Sequence, residues 1–432
     1  MTRNYKSTAL LDPSGRRPGH WLSPDPSQVS SVKMYTQAPS RPRGLFFFNK
    51  EYLMIIKSLL DVDFYKATMS QLYFHQFPQM TGKFRFKCRT PNIDLSKVYD
   101  KIREQIYNCT DLVVMLYEIE FLDKQGVFTD DYLDFLNGLR LARNQVVINK
   151  DPFEIEVTGY MHRITFWETM ILAIVNEVYF DSISAFKDCD ADARLQEKIA
   201  LSQDVSSPIF DFGTRRRRSY AWQWNVLRQL KSRMPCFSGT SNVYLAREIG
   251  IPVVGTMAHE YISSMQAVVH PRDSQKRALR LWLEEYEGRL GIALSDTLGL
   301  DAFLRDFDGY LARNYEGVRQ DSGDPIAVGE KVVHHYLSLG IDPTTKKIVF
   351  SDSLDFPTIL KIHNRFKGII KTSFGIGTNL MNDGFGDPIN IVMKLVECND
   401  RPVAKLSDSP GKEMCEDKEY LAYLRKAFNA SK

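Results

Sequence analysis

A short apolar run, Val253-Val254, ends in Gly255-Thr256 and leads through Met257-Ala258 to His259 and Glu260, at the start of an expected helix. A strand that stops where polar side chains begin is how α/β enzymes present chemistry on one face. The imidazole of His259, with an ordinary pKa of about 6.5, is largely neutral at pH 7 and is a competent nucleophile. A carboxylate beside it, such as Glu260, can fix its tautomer and steady the cation that forms. One histidine next to one glutamate also fits an ordinary ion pair at a helix start. The chemical reading therefore rests on whether the pattern repeats.

It does. Apolar runs lead into Asp211-Phe212-Gly213-Thr214-Arg215-Arg216, Ser238-Gly239-Thr240-Ser241-Asn242, Ser295-Asp296-Thr297, Arg319-Gln320-Asp321-Ser322-Gly323-Asp324, Ser351-Asp352-Ser353 and Ser373-Phe374-Gly375-Ile376-Gly377-Thr378. Singly, each is ordinary helix-cap or turn chemistry. Brought to one barrel face, several aspartates, two arginine sites and two Gly-Thr turns make a phosphate and metal site. In Arg215-Arg216-Arg217-Arg218 the first two arginines follow a strand end, where a planar fork suits polyphosphate; the same run also fits a solvated helix face. Arg319 with Asp321 and Asp324 suits an anion held beside a sugar or Mg²⁺, or a structural ion-pair network. Gly375-Ile376-Gly377 lets backbone N–H groups approach a phosphate closely, but lacks the third glycine of a dinucleotide fingerprint.

The elements that must carry these residues follow from the pattern of the chain. Residues 1 to about 43 are rich in Pro, Ser and Arg without an apolar period, which predicts disorder for an extension over 1–53. Leu59 to Met69 reads as an amphipathic helix behind an acidic cap, and Phe84-Arg85-Phe86-Lys87-Cys88 as a half-buried strand. Helices follow near 97–107 and 129–141, then a strand-like run Phe153-Glu154-Ile155-Glu156-Val157, so that 54–155 forms a small α/β unit. From there strands and helices alternate, as in a parallel sheet. Strands ending near residues 212, 240, 256, 296, 321, 352 and 375, plus the run at 153–158, total about eight. The fold class is α/β: an irregular (β/α)8-type barrel over 156–385 with an open α/β sandwich formed by the N- and C-terminal segments, 386–432 returning to it.

Composition narrows the classes. At 432 residues, 44% apolar and 25% charged, the chain is an ordinary globular protein. A formal charge of +3 points to neither nucleic acid nor a membrane surface. The six cysteines are scattered, without a metal-binding spacing, which fits a reducing compartment. No apolar run is long enough to span a bilayer.

Phe212-Gly213-Thr214-Arg215-Arg216, Gly255-Thr256-x-Ala258-His259-Glu260, Arg319-x-Asp321-Ser322-Gly323-Asp324 and Phe374-Gly375-Ile376-Gly377-Thr378 occur in that order, followed by Lys394-Leu395-Val396-Glu397 and Pro402 to Asp408. From about Ile56 onward the chain closely resembles the nicotinate phosphoribosyltransferases. The resemblance implies a type II phosphoribosyltransferase, dimeric with shared active sites. Such an enzyme forms nicotinate mononucleotide and pyrophosphate from nicotinate and 5-phosphoribosyl 1-pyrophosphate, with ATP hydrolysis coupled through a phosphohistidine and Mg²⁺ as cofactor. It implies His259 as that histidine, Asp296 as a carboxylate near it and Glu260 as an orienting group. Tyr65, contributed by the partner subunit, and Phe212 would sandwich the pyridine ring, with Thr256 and Arg319 as further nicotinate contacts. Arg215 and Arg216 would meet the phosphates, Asp321 the ribose or Mg²⁺, and Gly377 with Thr378 the 5′-phosphate. The expected location is the cytoplasm, with the nucleus also open. Rival readings are a nicotinamide or quinolinate phosphoribosyltransferase on the same fold, and a catalytically silent metabolite-binding relative.

Overall fold

A computed structural model describes residues 54–183, 190–406 and 415–428; the extension expected over 1–53 lies outside them. Three strands come first: β1 (Thr81–Cys88), β2 (Val146–Asn149) and β3 (Glu154–Tyr160). Six short ones follow: β4 (Ile209–Asp211), β5 (Phe237–Thr240), β6 (Ile292–Leu294), β7 (Gly317–Gln320), β8 (Lys347–Phe350) and β9 (Lys371–Ile376). The last two are β10 (Ile391–Cys398) and β11 (Arg401–Pro402).

These make two sheets. One is antiparallel, ordered β11-β10-β1-β3-β2, and the other is parallel, ordered β5-β4-β9-β8-β7-β6. The tail is therefore stitched to the front of the chain, with Phe84 opposite Leu395 and Phe86 opposite Met393.

The parallel sheet winds on itself, since its first strand β4 pairs with its last strand β9. Its two edges are bridged by the stretch that carries the histidine. Val253 pairs in parallel with Thr240 at the end of β5, while the Thr256 hydroxyl donates to the Ile292 carbonyl of β6 at 3.0 Å. Gly255 between them has φ of +152°, and a Cβ there would sit 3.2 Å from the Tyr65 nitrogen. Glycine allows both the backbone angle and the close approach.

The count of about eight barrel strands is corrected to six strands and this bridge. The run at 153–158 belongs to the antiparallel sheet instead, as β3 between β1 and β2. The physical reason is legible in hindsight. Its glutamates alternate with apolar residues, which suits a sheet with one wet face, whereas strands buried on both faces read as continuous apolar runs.

The first helix also begins later than its pattern suggests, at Phe64, running to Gln76. Asp63 stands at its cap position but does not cap it. Its carboxylate accepts from the Tyr65, Ser241 and Thr169 hydroxyls, pinning the helix start to the end of β5 and to helix Trp167–Ser182. That second helix is buried nearly all round, so it shows no amphipathic stripe to read. Helix Val243–Ile249 starts as expected, with the Asn242 side chain accepting from the Leu245 N–H at 2.8 Å. Among the described residues no helix is long and apolar enough to cross a membrane.

Candidate active site

His259 opens helix His259–Ser264, immediately after the bridge that closes the parallel sheet. Its ring is only 9% exposed and every polar atom on it is engaged. Nδ1 lies 3.0 Å from the Thr297 hydroxyl beyond β6. Nε2 lies 2.9 Å from Asp321 Oδ2 beyond β7 and 2.7 Å from the Lys405 ammonium. Lys405 also donates to Asp296 Oδ2 at 2.9 Å, and that oxygen accepts from Ser322 at 2.6 Å as well. Two carboxylates and one ammonium thus surround a single imidazole.

The electrostatics follow from this packing. Burial, helped by Lys405, pushes the His259 imidazole down to about 4, against the pull of the two aspartates. Burial alone would raise Asp296, but Lys405 holds it below the usual carboxylate range. Burial would raise Asp321 too; the bond from His259 and the Arg319 guanidinium hold it well below. At neutral pH the ring is uncharged and the aspartates are ionised, which is the state a nitrogen nucleophile needs.

Glu260 is not the partner of His259. Its carboxylate takes Lys66 and the Thr165 hydroxyl instead. Adjacent residues on a helix do not face one another, so Glu260 points away from the ring. Lys66 is fully buried between Glu260 and Glu168, at 2.5 Å from the latter. Burial would push this ammonium down, but the two carboxylates outweigh it and hold it up. Glu168 in turn accepts from Arg215 at 3.3 Å. The run of four arginines divides. Arg215 and Arg216 line the cavity in front of His259. Arg217 is buried in a two-pronged pair with Asp61, at 2.7 and 2.9 Å, and Arg218 pairs with Asp181.

That cavity has a volume of about 520 Å³, in the range of small-molecule sites. His259, Arg319 and Asp321 stand on one wall, and Tyr65 and Phe212 supply the aromatic surface. Gly377 and Thr378, at the start of a short turn of helix after β9, complete the phosphate end. Tyr65 reaches this cavity from the same chain, so the aromatic pair forms without a partner subunit. Gly375 makes room for Phe212: a Cβ there would meet the ring at 2.1 Å. Thr256 is not part of the lining, because its hydroxyl is spent on the carbonyl of Ile292.

A divalent cation fits the acidic side. The ligand atoms of His259, Asp296 and Asp321 lie within 4.8 Å of one another. Asp296 Oδ1 is buried with no hydrogen bond among the described residues. Such an orphaned oxygen suits a hard ion or its water.

Two lysines were not picked out from the sequence. Lys405 arrives on the segment after β11, which the amide of Gln266 clamps by both the N–H and the C=O of Ala404, at 2.9 and 2.7 Å. Lys394 arrives on β10 and lines the same cavity. The available signal was a lone lysine inside each of two apolar runs, Ile391 to Val396 and Val403 to Leu406. A charge at a buried position is expected only where a partner or ligand compensates it.

Comparison with known proteins agrees with this geometry. A family model described as the nicotinate phosphoribosyltransferase (NAPRTase) family matches residues 208–432, and that for its N-terminal domain matches 60–176. A nicotinate phosphoribosyltransferase from Burkholderia mallei is 47% identical over 388 residues, covering 87% of this chain and 97% of its own length. One from Cupriavidus necator is 45% identical over 388 residues, covering 87% of this chain and 99% of its own. The crystal structure of the Vibrio cholerae nicotinate phosphoribosyltransferase superposes with a TM-score of 0.83 at 39% identity, covering 88% of this chain and 95% of that one. The chain, a mixed α/β protein with its nucleophile-grade histidine at the rim of a wound parallel sheet, belongs to the nicotinate phosphoribosyltransferase family.

Proposed function

We propose that the protein forms nicotinate mononucleotide and pyrophosphate from nicotinate and 5-phosphoribosyl 1-pyrophosphate, in the cytoplasm, as a salvage step towards NAD. The observation that carries this reading is one cavity holding an uncharged histidine, an aromatic pair and a set of cations, each suited to one part of the reaction. Tyr65 and Phe212 hold the pyridine ring. Arg319, whose Nε is buried without a hydrogen bond among the described residues, meets its carboxylate, a role that leaves the neutral amide of nicotinamide poorly matched. The ring nitrogen attacks C1 of the ribose as the bond to pyrophosphate breaks. Arg215 and Arg216 take up the charge that leaves, and Gly377 with Thr378 anchor the 5′-phosphate. Mg²⁺, when bound through Asp321 and Asp296, supplies charge neutralisation to the pyrophosphate.

ATP enters through His259. A ring nitrogen attacks the γ-phosphorus, the bond to ADP breaks, and water later releases the phosphate. The phosphoryl group adds negative charge beside Lys405 and lets it compete for the cations around the sugar substrate. The shared sites of a dimer belong to this reading as well.

The test is competition between bases in purified protein supplied with 5-phosphoribosyl 1-pyrophosphate, ATP and Mg²⁺. Nicotinate should be converted with a kcat/KM at least about 100-fold above that of nicotinamide or quinolinate, the scale set by one lost charge-assisted contact. Preference for the amide, or binding without turnover, would overturn the reading. A second expectation concerns the ring's seat. Gly375→Ala should push Phe212 out of place and raise the KM for nicotinate about tenfold, leaving the KM for the sugar substrate nearly unchanged. Equal effects on both constants would argue for general disruption.

A further inference from the structure

Around the cavity, the cations are mostly committed. Arg215 is held by Glu168, and Lys405 by His259 and Asp296. Lys394 differs. It lines the cavity in company with Arg215 and Lys405, yet makes no hydrogen bond or ion pair among the described residues. It is carried on β10, flanked by the buried side chains of Met393 and Leu395, so the ammonium has no open solvent to retreat into. Holding three cations close together without matching anions costs free energy. The arrangement makes physical sense if an anion completes it.

We propose that Lys394 closes a three-cation clamp with Arg215 and Lys405 on the pyrophosphoryl end of the sugar substrate. This inference rests on the function proposed above and adds a binding residue to it. Two neighbouring groups carry the mark of a site preloaded with positive charge. Burial and then the adjacent Arg215 push Arg216 down to about 10. For Lys394 the balance is harsher. Burial pushes the ammonium down to about 7, with Arg215 and Lys405 adding to it and Glu168 and Asp321 opposing. These four are the charged groups that face it.

A consequence in protons follows. The empty site holds Lys394 only partly charged above pH 7. A bound pyrophosphate favours the ammonium and raises its affinity for a proton, so binding takes up a proton at that nitrogen. The uptake is largest between the free value of about 7 and the higher bound value, and vanishes well below pH 7, where the lysine is already charged. Affinity should therefore fall as pH rises through that window.

The experiment is calorimetric titration of the full chain with inorganic pyrophosphate in the presence of Mg²⁺, at pH 7.5 in two buffers of different ionisation enthalpy. Nicotinate serves as a second ligand that reports an intact fold. Lys394→Met should weaken pyrophosphate binding about 10- to 100-fold, the effect of losing one charge-assisted contact, and leave nicotinate binding unchanged. Lys394→Arg should keep most of the affinity but lose the extra proton uptake, because arginine stays charged throughout. The ligand's own ionisation is the same in each protein and cancels in the comparison. Native-like pyrophosphate affinity in Lys394→Met, or undiminished proton uptake in Lys394→Arg, would overturn the inference alone. Failure of the unmodified protein to bind pyrophosphate would sink the proposed function together with it.

Discussion

When the protein is incubated with γ-labelled ATP, acid-labile phosphate should accumulate on His259 and disappear entirely in His259→Ala. The expectation follows from what surrounds the ring. Thr297, Asp321 and Lys405 fix its orientation, and burial with Lys405 pushes it down to about 4. The reactive neutral form is the one present above the folded-state value and lost as pH falls through it. Labelling should therefore hold level from pH 8 to about pH 5, where a solvent-exposed histidine would already be failing near 6.5. Formation of nicotinate mononucleotide without ATP should survive in the variant at a low rate, because the arginines, the aromatic pair and the glycine turn are untouched. The whole of the ATP-stimulated rate should vanish. Label persisting in His259→Ala, or a titration of the labelling near 6.5, would break the link between this ring and ATP.

Arg217→Met should lower stability by about 3–5 kcal/mol, read as a shift of the denaturant midpoint. Its guanidinium is fully buried, meets both oxygens of Asp61, and also donates to Gln223 and to the Ile55 carbonyl. Asp61 would keep only Asn242 as a strong partner and would be left as a buried charge without compensation. Arg216→Met, two-thirds of a helical turn away, should leave the midpoint within about 0.5 kcal/mol and act on substrate binding instead. The run of four arginines thus separates into a pair that binds and a pair that holds the fold. A native midpoint for Arg217→Met would refute that division.

Much of the catalytic end was legible because strand ends announce themselves. The polar residues expected beyond β4 to β9 do gather where those strands finish, and Asp211, Asp296, Arg319 and Asp321 stand on them or just past them. Three kinds of information were hidden. Glu260 was misplaced because sequence neighbours on a helix look in different directions, so adjacency to His259 said nothing about contact. Helix Trp167–Ser182 had no stripe to detect, being packed on all sides. Lys394 and Lys405 were unreadable for a different reason. Their neighbours in sequence are strand residues of the antiparallel sheet, and only the pairing of β10 with β1, some three hundred positions earlier, points them at the histidine. Long-range register of this sort is not written in any local period.

That stitching has a bearing on when the enzyme can first turn over. The ring with its histidine, its glycine turn and its arginines is assembled from the middle of the polypeptide, but the two lysines come with what is synthesised afterwards. Until β10 has zipped onto β1 and Gln266 has gripped Ala404, the nucleophile has aspartates beside it and no ammonium. A growing chain is accordingly idle towards ATP, and a protease that nicks the stretch before β10 would silence the enzyme while leaving the wound sheet standing.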